Sequence, residues 1–138
     1  MAPQSDRGWL IDISRQIEHQ SFPRSKAHRV RTSDEIVALG RKLIARADAA
    51  TEAKGPKKEA SLDYRDGLML LTLAYAPLRR KNLTGLEVRP TLNKTGDVWT
   101  IILPPNETKT NIEVEHMLPL AVSRCFDRYL AFYRPITF

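Results

Sequence analysis

The sequence contains a single cysteine, Cys125, so an intrachain disulfide bond is excluded. This is typical of a protein in a reducing compartment, and we expect a cytoplasmic location. No apolar run approaches the roughly 18–20 residues that a membrane helix needs, and the N-terminus lacks the basic and apolar regions of a secretory signal. The sequence therefore predicts neither a membrane protein nor a secreted disulfide scaffold.

Residues that hold metals or nucleotides are also scarce. The three histidines are scattered along the chain, so we expect no metal site. There is no glycine-rich phosphate loop, no acidic metal cluster and no paired nucleophile and base, which argues against a hydrolase or kinase-like enzyme that acts on nucleotides. We expect no cofactor.

Positive charge is in excess, with a net charge of +6 and a pI near 9.7. It is concentrated in residues 23–31, PRSKAHRVR, which contain no acid, and in the triplet Arg79, Arg80 and Lys81. Clustered Lys and Arg side chains can neutralise phosphates and release counterions, which favours a polyanionic partner. A solvated surface is the alternative interpretation of the same charges.

The first half of the chain has helical periodicity. Apolar residues recur at helical spacing in 8–20, and Thr32 to Glu35 has the form of a capping box that opens a helix to about residue 53. After a Gly-Pro loop, we expect Ser61 to cap a largely apolar helix that ends near Leu78. One further helical turn is expected at Leu83 to Leu86.

The second half changes to strand-like patterns at residues 86–92, 98–103 and 112–118. The turn NKTGD joins the first two strands, and the loop PPNETKTN joins the last two. Pro119 precedes a final amphipathic helix, which we expect Pro135 to end. The predicted fold class is α+β, mainly helical, with a three-stranded antiparallel meander.

Two sequence patches carry a family resemblance. They are YRDGLMLLTLAYAPLRRKNLTGL at residues 64–86 and ETKTNIEVEHMLPL at 107–120. Together, and in this order, they resemble tyrosine recombinases of the phage-integrase type. In that family a buried helix ends in a Gly-Leu-Arg-x-x-Glu-Leu box, and a meander follows whose lysine-bearing hairpin leads to a Pro-Leu pair and a helix. The resemblance implies the catalytic fold of DNA breaking-rejoining enzymes.

The resemblance also implies roles for three residues. Arg79 matches the first catalytic arginine, and its guanidinium would hold two oxygens of the phosphorane that forms during strand cleavage. Lys109 matches the hairpin lysine, the general acid that protonates the leaving 5′ oxygen, on a loop flexible enough to close on bound DNA. Asn82 stands where the family has an acid, and we expect it to hydrogen-bond the arginine or a phosphate. Lys94, in the other hairpin, is a rival for Lys109, but no Pro-Leu pair and helix follow it.

Other parts of the family pattern are missing or altered. Pro77 replaces the first glycine of the box, and the chain stops at Phe138, before a second His-x-x-Arg box and the tyrosine nucleophile. The literal His28 to Arg31 match lies upstream in the connector, and we interpret it as chance. We expect the four tyrosines of the sequence to be packing or surface residues, Trp99 and Cys125 to pack inside, and His116 to be a half-buried sheet residue.

The resemblance divides the chain into two parts. Residues 1–31 would be a remnant of a core-binding domain with a basic interdomain linker, and residues 32–138 a truncated catalytic domain. Contacts to the DNA backbone are expected from the linker and from the end of the apolar helix, through Arg24, Lys26, Arg29, Arg31, Arg80 and Lys81.

The function implied is DNA integration by site-specific recombination, in a fragment that is inactive alone. Its partners would be double-stranded DNA and a complementary integrase fragment or an intact homologue. The alternatives are a non-catalytic DNA-binding fragment and a decayed mobile-element product. The recombinase interpretation requires that Arg79 and Lys109 face one phosphate-sized pocket. It also requires that the sheet lie between the apolar helix and the last helix.

Overall fold

The computed structural model describes residues 8–20 and 30–137, and the chain divides into two compact units, residues 1–30 and 31–138. In the first unit, helix α1 spans Gly8–Gln20, as its periodicity predicts. None of the residues of α1 is buried, and Trp9 and Ile17 are about 60% exposed. Residues 23–29 of the predicted basic segment, 23–31, lie outside the described residues.

The second unit begins with helix α2, Ser33–Lys54. The predicted capping box is confirmed: the backbone N–H of Glu35 donates to the Thr32 hydroxyl at 3.2 Å, and the Thr32 N–H donates to the Glu35 carboxylate at 2.8 Å. The helix ends at Gly55, whose φ of 74° is a conformation that glycine adopts at little cost.

Helix α3, Lys58–Tyr75, packs against α2 at a close crossing. Cβ atoms added at Gly40 or Gly67 would meet the backbone oxygen of the other glycine at 2.9 and 2.7 Å. The expectation that Ser61 caps α3 is wrong, because Lys57 is the cap residue. Ser61 is fully buried one turn inside the helix, where its hydroxyl donates to the carbonyl of Tyr133 at 2.7 Å.

A short helix α4, Arg80–Thr84, supplies the extra turn, a few residues earlier than predicted. The meander follows as β1 Leu92–Thr95, β2 Val98–Leu103 and β3 Val114–Met117, antiparallel in the order β1-β2-β3.

The first predicted strand, residues 86–92, is wrong. The chain turns at Arg89, which has φ 87°, and the following Pro90 has no N–H to donate to a ladder. Residues 93–95 of the predicted turn instead belong to β1. The hairpin closes through Gly96 and Asp97, with Thr95 opposite Val98.

The C-terminal helix continues past the predicted stop. Helix α5, Leu120–Arg128, leads into a π turn, Tyr129–Tyr133, and then into α6, Arg134–Thr137. The N–H of Arg134 donates to the Tyr129 carbonyl, five residues back. This wider turn directly precedes Pro135, whose ring would press on the carbonyl four residues earlier in a regular α-helix. Pro135 therefore lies within α6 and does not end the helix.

One buried cluster joins α3, the sheet and α5, so the sheet packs on both the long apolar helix and the last one. Its buried members are Leu68, Leu71, Ala76, Leu92, Trp99, Ile101, Leu103, Leu118, Val122 and Phe126. A second cluster contains Ala47, Ala60, Tyr64 and Tyr133. The α+β, mainly helical class is confirmed. Among the described residues, no helix has both the length and the apolar character to cross a membrane.

Candidate nucleic-acid interface

The connector between α3 and α4 presents Arg79 to solvent. Ala76 is fully buried and Leu78 packs against the core, so the chain is anchored on the N-terminal side of the arginine. Arg79 is the cap residue of α4, with extended backbone angles, and its carbonyl accepts the N–H of Leu83 at 2.9 Å. The backbone of Arg79 is thus held on both sides while its side chain is exposed.

Helix α4 is bonded to the loop between β2 and β3. Asn82 is only 8% exposed, and its side-chain amide donates to the carbonyl of Glu107 at 3.2 Å. The Lys81 ammonium forms an ion pair with the Glu107 carboxylate at 3.0 Å. Sequence reasoning did not single out Glu107, since an acid in a polar loop carries no periodic or motif signal. The expected hydrogen bond from Asn82 to the arginine is not found among the described residues.

The β2–β3 loop is braced at its base. Residues Pro105–Glu107 form a 3-10 turn, and the Thr108 hydroxyl lies 3.0 Å from the Pro105 carbonyl and 2.7 Å from that of Ile112. The Ile112 N–H donates to the same hydroxyl at 3.1 Å. Asn111 lies in the left-handed region with φ 52°, which asparagine tolerates well. Between these braces, Lys109 is exposed at the tip of the loop.

Arg79 and Lys109 are therefore on two segments that are tied to each other. Arg79 lies three residues before Asn82, and Lys109 lies two residues after Glu107. Within the described residues, neither side chain makes an ion pair or a hydrogen bond. Each of the two segments therefore carries an exposed cation that no acid of the described residues neutralises.

Lys94, the rival of Lys109, is engaged elsewhere. Its ammonium lies 2.8 Å from the Asp127 carboxylate and 5.8 Å from the centre of the Trp99 ring. The Trp99 indole N–H donates to the same carboxylate at 2.9 Å. Burial acts to raise the pKa of Asp127, but hydrogen bonds from Lys94 and Trp99 outweigh it and lower that pKa. Lys94 thus ties the β1–β2 hairpin to α5.

The other predicted DNA contacts differ in surroundings. Arg80 is exposed and makes no ion pair within 30–137, whereas Lys81 is paired with Glu107. Arg31 is exposed and lies 3.6 Å from Glu35. Arg24, Lys26 and Arg29 lie outside the described residues.

Two of the tyrosines form the centre of a buried cluster. Tyr64 and Tyr133 are 1% and 0% exposed, and their rings stack with centroids 4.2 Å apart. The Tyr133 hydroxyl donates to Asp48 at 2.6 Å, and Asp48 also pairs with Arg128 at 2.8 Å. Burial is the main cause that raises the pKa of both tyrosines above the usual value. Both rings are packed in the core, and the hydroxyl of Tyr133 is engaged by Asp48.

The other side chains that the sequence singled out differ in exposure. Tyr129 is half-buried beside Tyr64, while Tyr75 is 41% exposed. His116 is a half-buried residue of β3 opposite Ile101, as expected, and burial raises the pKa of the half-buried Cys125 thiol. Trp99 is buried in the core, as expected. In the part of the chain that is described, no group of three His, Cys, Asp or Glu side chains could hold a metal ion.

Comparisons with protein-family models, with curated proteins and with solved structures found no match for this chain.

Proposed function

We propose that this chain binds the backbone of duplex DNA through Arg79 and Lys109, as part of a strand-exchange site of the tyrosine-recombinase type. The observation that carries the proposal is the hydrogen bond from the buried Asn82 amide to the Glu107 carbonyl. It joins the segment that bears Arg79 to the loop that bears Lys109. Two cations far apart in sequence thereby lie on segments that a hydrogen bond joins.

The chemistry of the two side chains is complementary. A guanidinium offers paired N–H donors that match two oxygens of one phosphate, whereas an ammonium is a compact charge that can also give up a proton. Cations held in advance near a developing negative charge are commonly the largest contribution to phosphoryl-transfer catalysis. Arg79 and Lys109 would supply two such cations, and Arg80 would contact a phosphate of the DNA backbone.

The chain should bind DNA without cleaving it. Tyr64 and Tyr133 are buried in the core, and Tyr129 is half-buried beside them. Tyr75 is exposed, but it is the last residue of α3 and precedes Arg79, whereas the nucleophile of the recombinases follows the last helix described here. A complementary integrase segment or an intact relative would have to supply the nucleophile. Incubation with a nicked duplex should therefore yield no covalent protein–DNA adduct from this chain alone, as judged by denaturing electrophoresis.

A salt series of duplex-DNA binding, followed by fluorescence anisotropy, tests the proposal. The logarithm of affinity falls with that of salt by about 0.9 per phosphate contact, so Arg79→Ala and Lys109→Ala should each reduce the slope by about that amount. The matched controls are Arg124→Ala and Lys42→Ala, which remove exposed cations that make no ion pair within the described residues.

The controls separate a defined site from net charge. We expect the control variants to leave the slope nearly unchanged. Equal losses from Arg79→Ala and Arg124→Ala would show that the protein attracts DNA only through its overall charge, and the proposed site would then be wrong.

A further inference from the structure

The two joined segments carry four exposed cations, which we call the cationic surface, and Glu107 adds a negative charge beside one of them, Lys81. The four cations are Arg79, Arg80, Lys81 and Lys109. Its two carboxylate oxygens lie 3.0 and 3.2 Å from the Lys81 ammonium. The Lys81 side chain is 80% exposed and that of Glu107 is 31% exposed. The ion pair therefore lies at the surface, where a phosphate could approach the same ammonium.

The backbone of Glu107 is held before any ligand arrives. Its carbonyl accepts the Asn82 amide at 3.2 Å, and its N–H donates to the Pro104 carbonyl at 2.9 Å. The anchored backbone keeps the Glu107 carboxylate within reach of Lys81. The Glu107 carboxylate offsets the charge of Lys81, and its own negative charge repels an approaching phosphate.

We propose that Glu107 masks Lys81 and so limits how tightly this surface holds the DNA backbone. The inference rests on the proposed function, because it assigns an affinity-setting role within the same site. Glu107 competes with phosphate for Lys81, and the free protein keeps Lys81 out of its set of phosphate contacts. A neutral residue at position 107 would release Lys81 to add one contact.

The first experiment compares Glu107→Gln with Glu113→Gln in duplex-DNA binding across a salt series. Both variants add one unit of net charge in the same loop, but Glu113 makes no ion pair within the described residues. Glutamine keeps the size of the side chain, and the hydrogen bonds of Glu107 to Asn82 and Pro104 use only its backbone. Circular dichroism and the thermal midpoint check that both variants fold.

We expect the salt slope of Glu107→Gln to be steeper than that of Glu113→Gln by about one phosphate contact. With about 0.9 in slope per contact, the affinity advantage of Glu107→Gln over Glu113→Gln should fall about 3.5-fold as salt rises from about 50 to about 200 mM. Equal slopes for the two variants would overturn the inference, because charge alone would then explain the gain.

The second experiment introduces Lys81→Ala into the wild type and into Glu107→Gln. We expect it to change the slope little in the wild type and to remove the added contact from Glu107→Gln. An equal loss in both backgrounds would overturn masking, because Lys81 would already bind phosphate. Failure of the proposed function is separate: Arg79→Ala and Lys109→Ala would then have no more effect than their controls.

Discussion

Asn82→Ala removes the hydrogen bond on which the candidate site depends. A neutral hydrogen bond contributes about 0.5–1.5 kcal/mol net, and a partner left unpaired away from water adds to the loss. Asn82 is 8% exposed and its bond to the Glu107 carbonyl is 3.2 Å long, so we expect a loss of about 1–2 kcal/mol in the free energy of unfolding.

Urea denaturation followed by tryptophan fluorescence measures this loss. Trp99 is 6% exposed, whereas Trp9 is 60% exposed, so a Trp9→Phe background makes the signal report on the core. With a urea dependence of about 1.5 kcal/mol per M, the midpoint should fall by about 1 M. Asn106→Ala is the control, since that exposed amide belongs to the same loop and makes no hydrogen bond within the described residues.

The same substitution should weaken the contribution of Lys109 to DNA binding. In the wild type, Lys109→Ala is expected to reduce the salt slope by about 0.9, and in Asn82→Ala by less than half of that. Residues that act through a shared contact show such non-additivity, while independent ones add. Equal effects of Lys109→Ala in both backgrounds would refute the reasoning, because the loop would then hold its lysine without Asn82.

Two further predictions concern the core. Gly67→Ala would place a methyl group 2.7 Å from the Gly40 carbonyl oxygen, so we expect a loss of about 1–3 kcal/mol in a urea melt, and a loss below 0.5 kcal/mol would contradict the observed crossing. The pKa values of Tyr64 and Tyr133 are raised in the folded state, so above about pH 10 the unfolded chain binds fewer protons and stability falls as pH rises. In Tyr133→Phe, the free energy of unfolding should fall less steeply with pH between about 9.5 and about 11. An unchanged dependence on pH would show that the pKa of Tyr133 is not raised in the folded state.

Local signals predicted the elements whose causes are local. The capping box at Thr32 and Glu35 starts α2 because both partners lie within one turn of helix. The apolar residues of α1 recur at helical spacing, and this local period predicts a helix. The three-stranded antiparallel meander was predicted from the sequence. Its first strand begins later than expected, because the chain turns at Arg89 before Leu92 pairs with Ile101.

Contacts between distant segments decided the rest. Serine is a common helix cap, yet Ser61 lies buried inside α3. Its hydroxyl donates to the carbonyl of Tyr133, which is distant in sequence. Proline commonly ends a helix, yet a π turn carries the helix past Pro135. Tyr133 in that turn is held by Ser61 and Asp48, which are distant in sequence. Neither outcome can be inferred from a window of neighbouring residues.

The candidate site divides in the same way. From the sequence alone, it was the resemblance to tyrosine recombinases that singled out Arg79 and Lys109, because the order and spacing of residue types on which a resemblance depends are properties of the chain. Only the tertiary structure decided that Asn82 bonds to the loop and that Glu107 pairs with Lys81, and it committed Lys94 to Asp127. The physical reason is that hydrogen bonds and ion pairs depend on distances through space, which packing of the core sets.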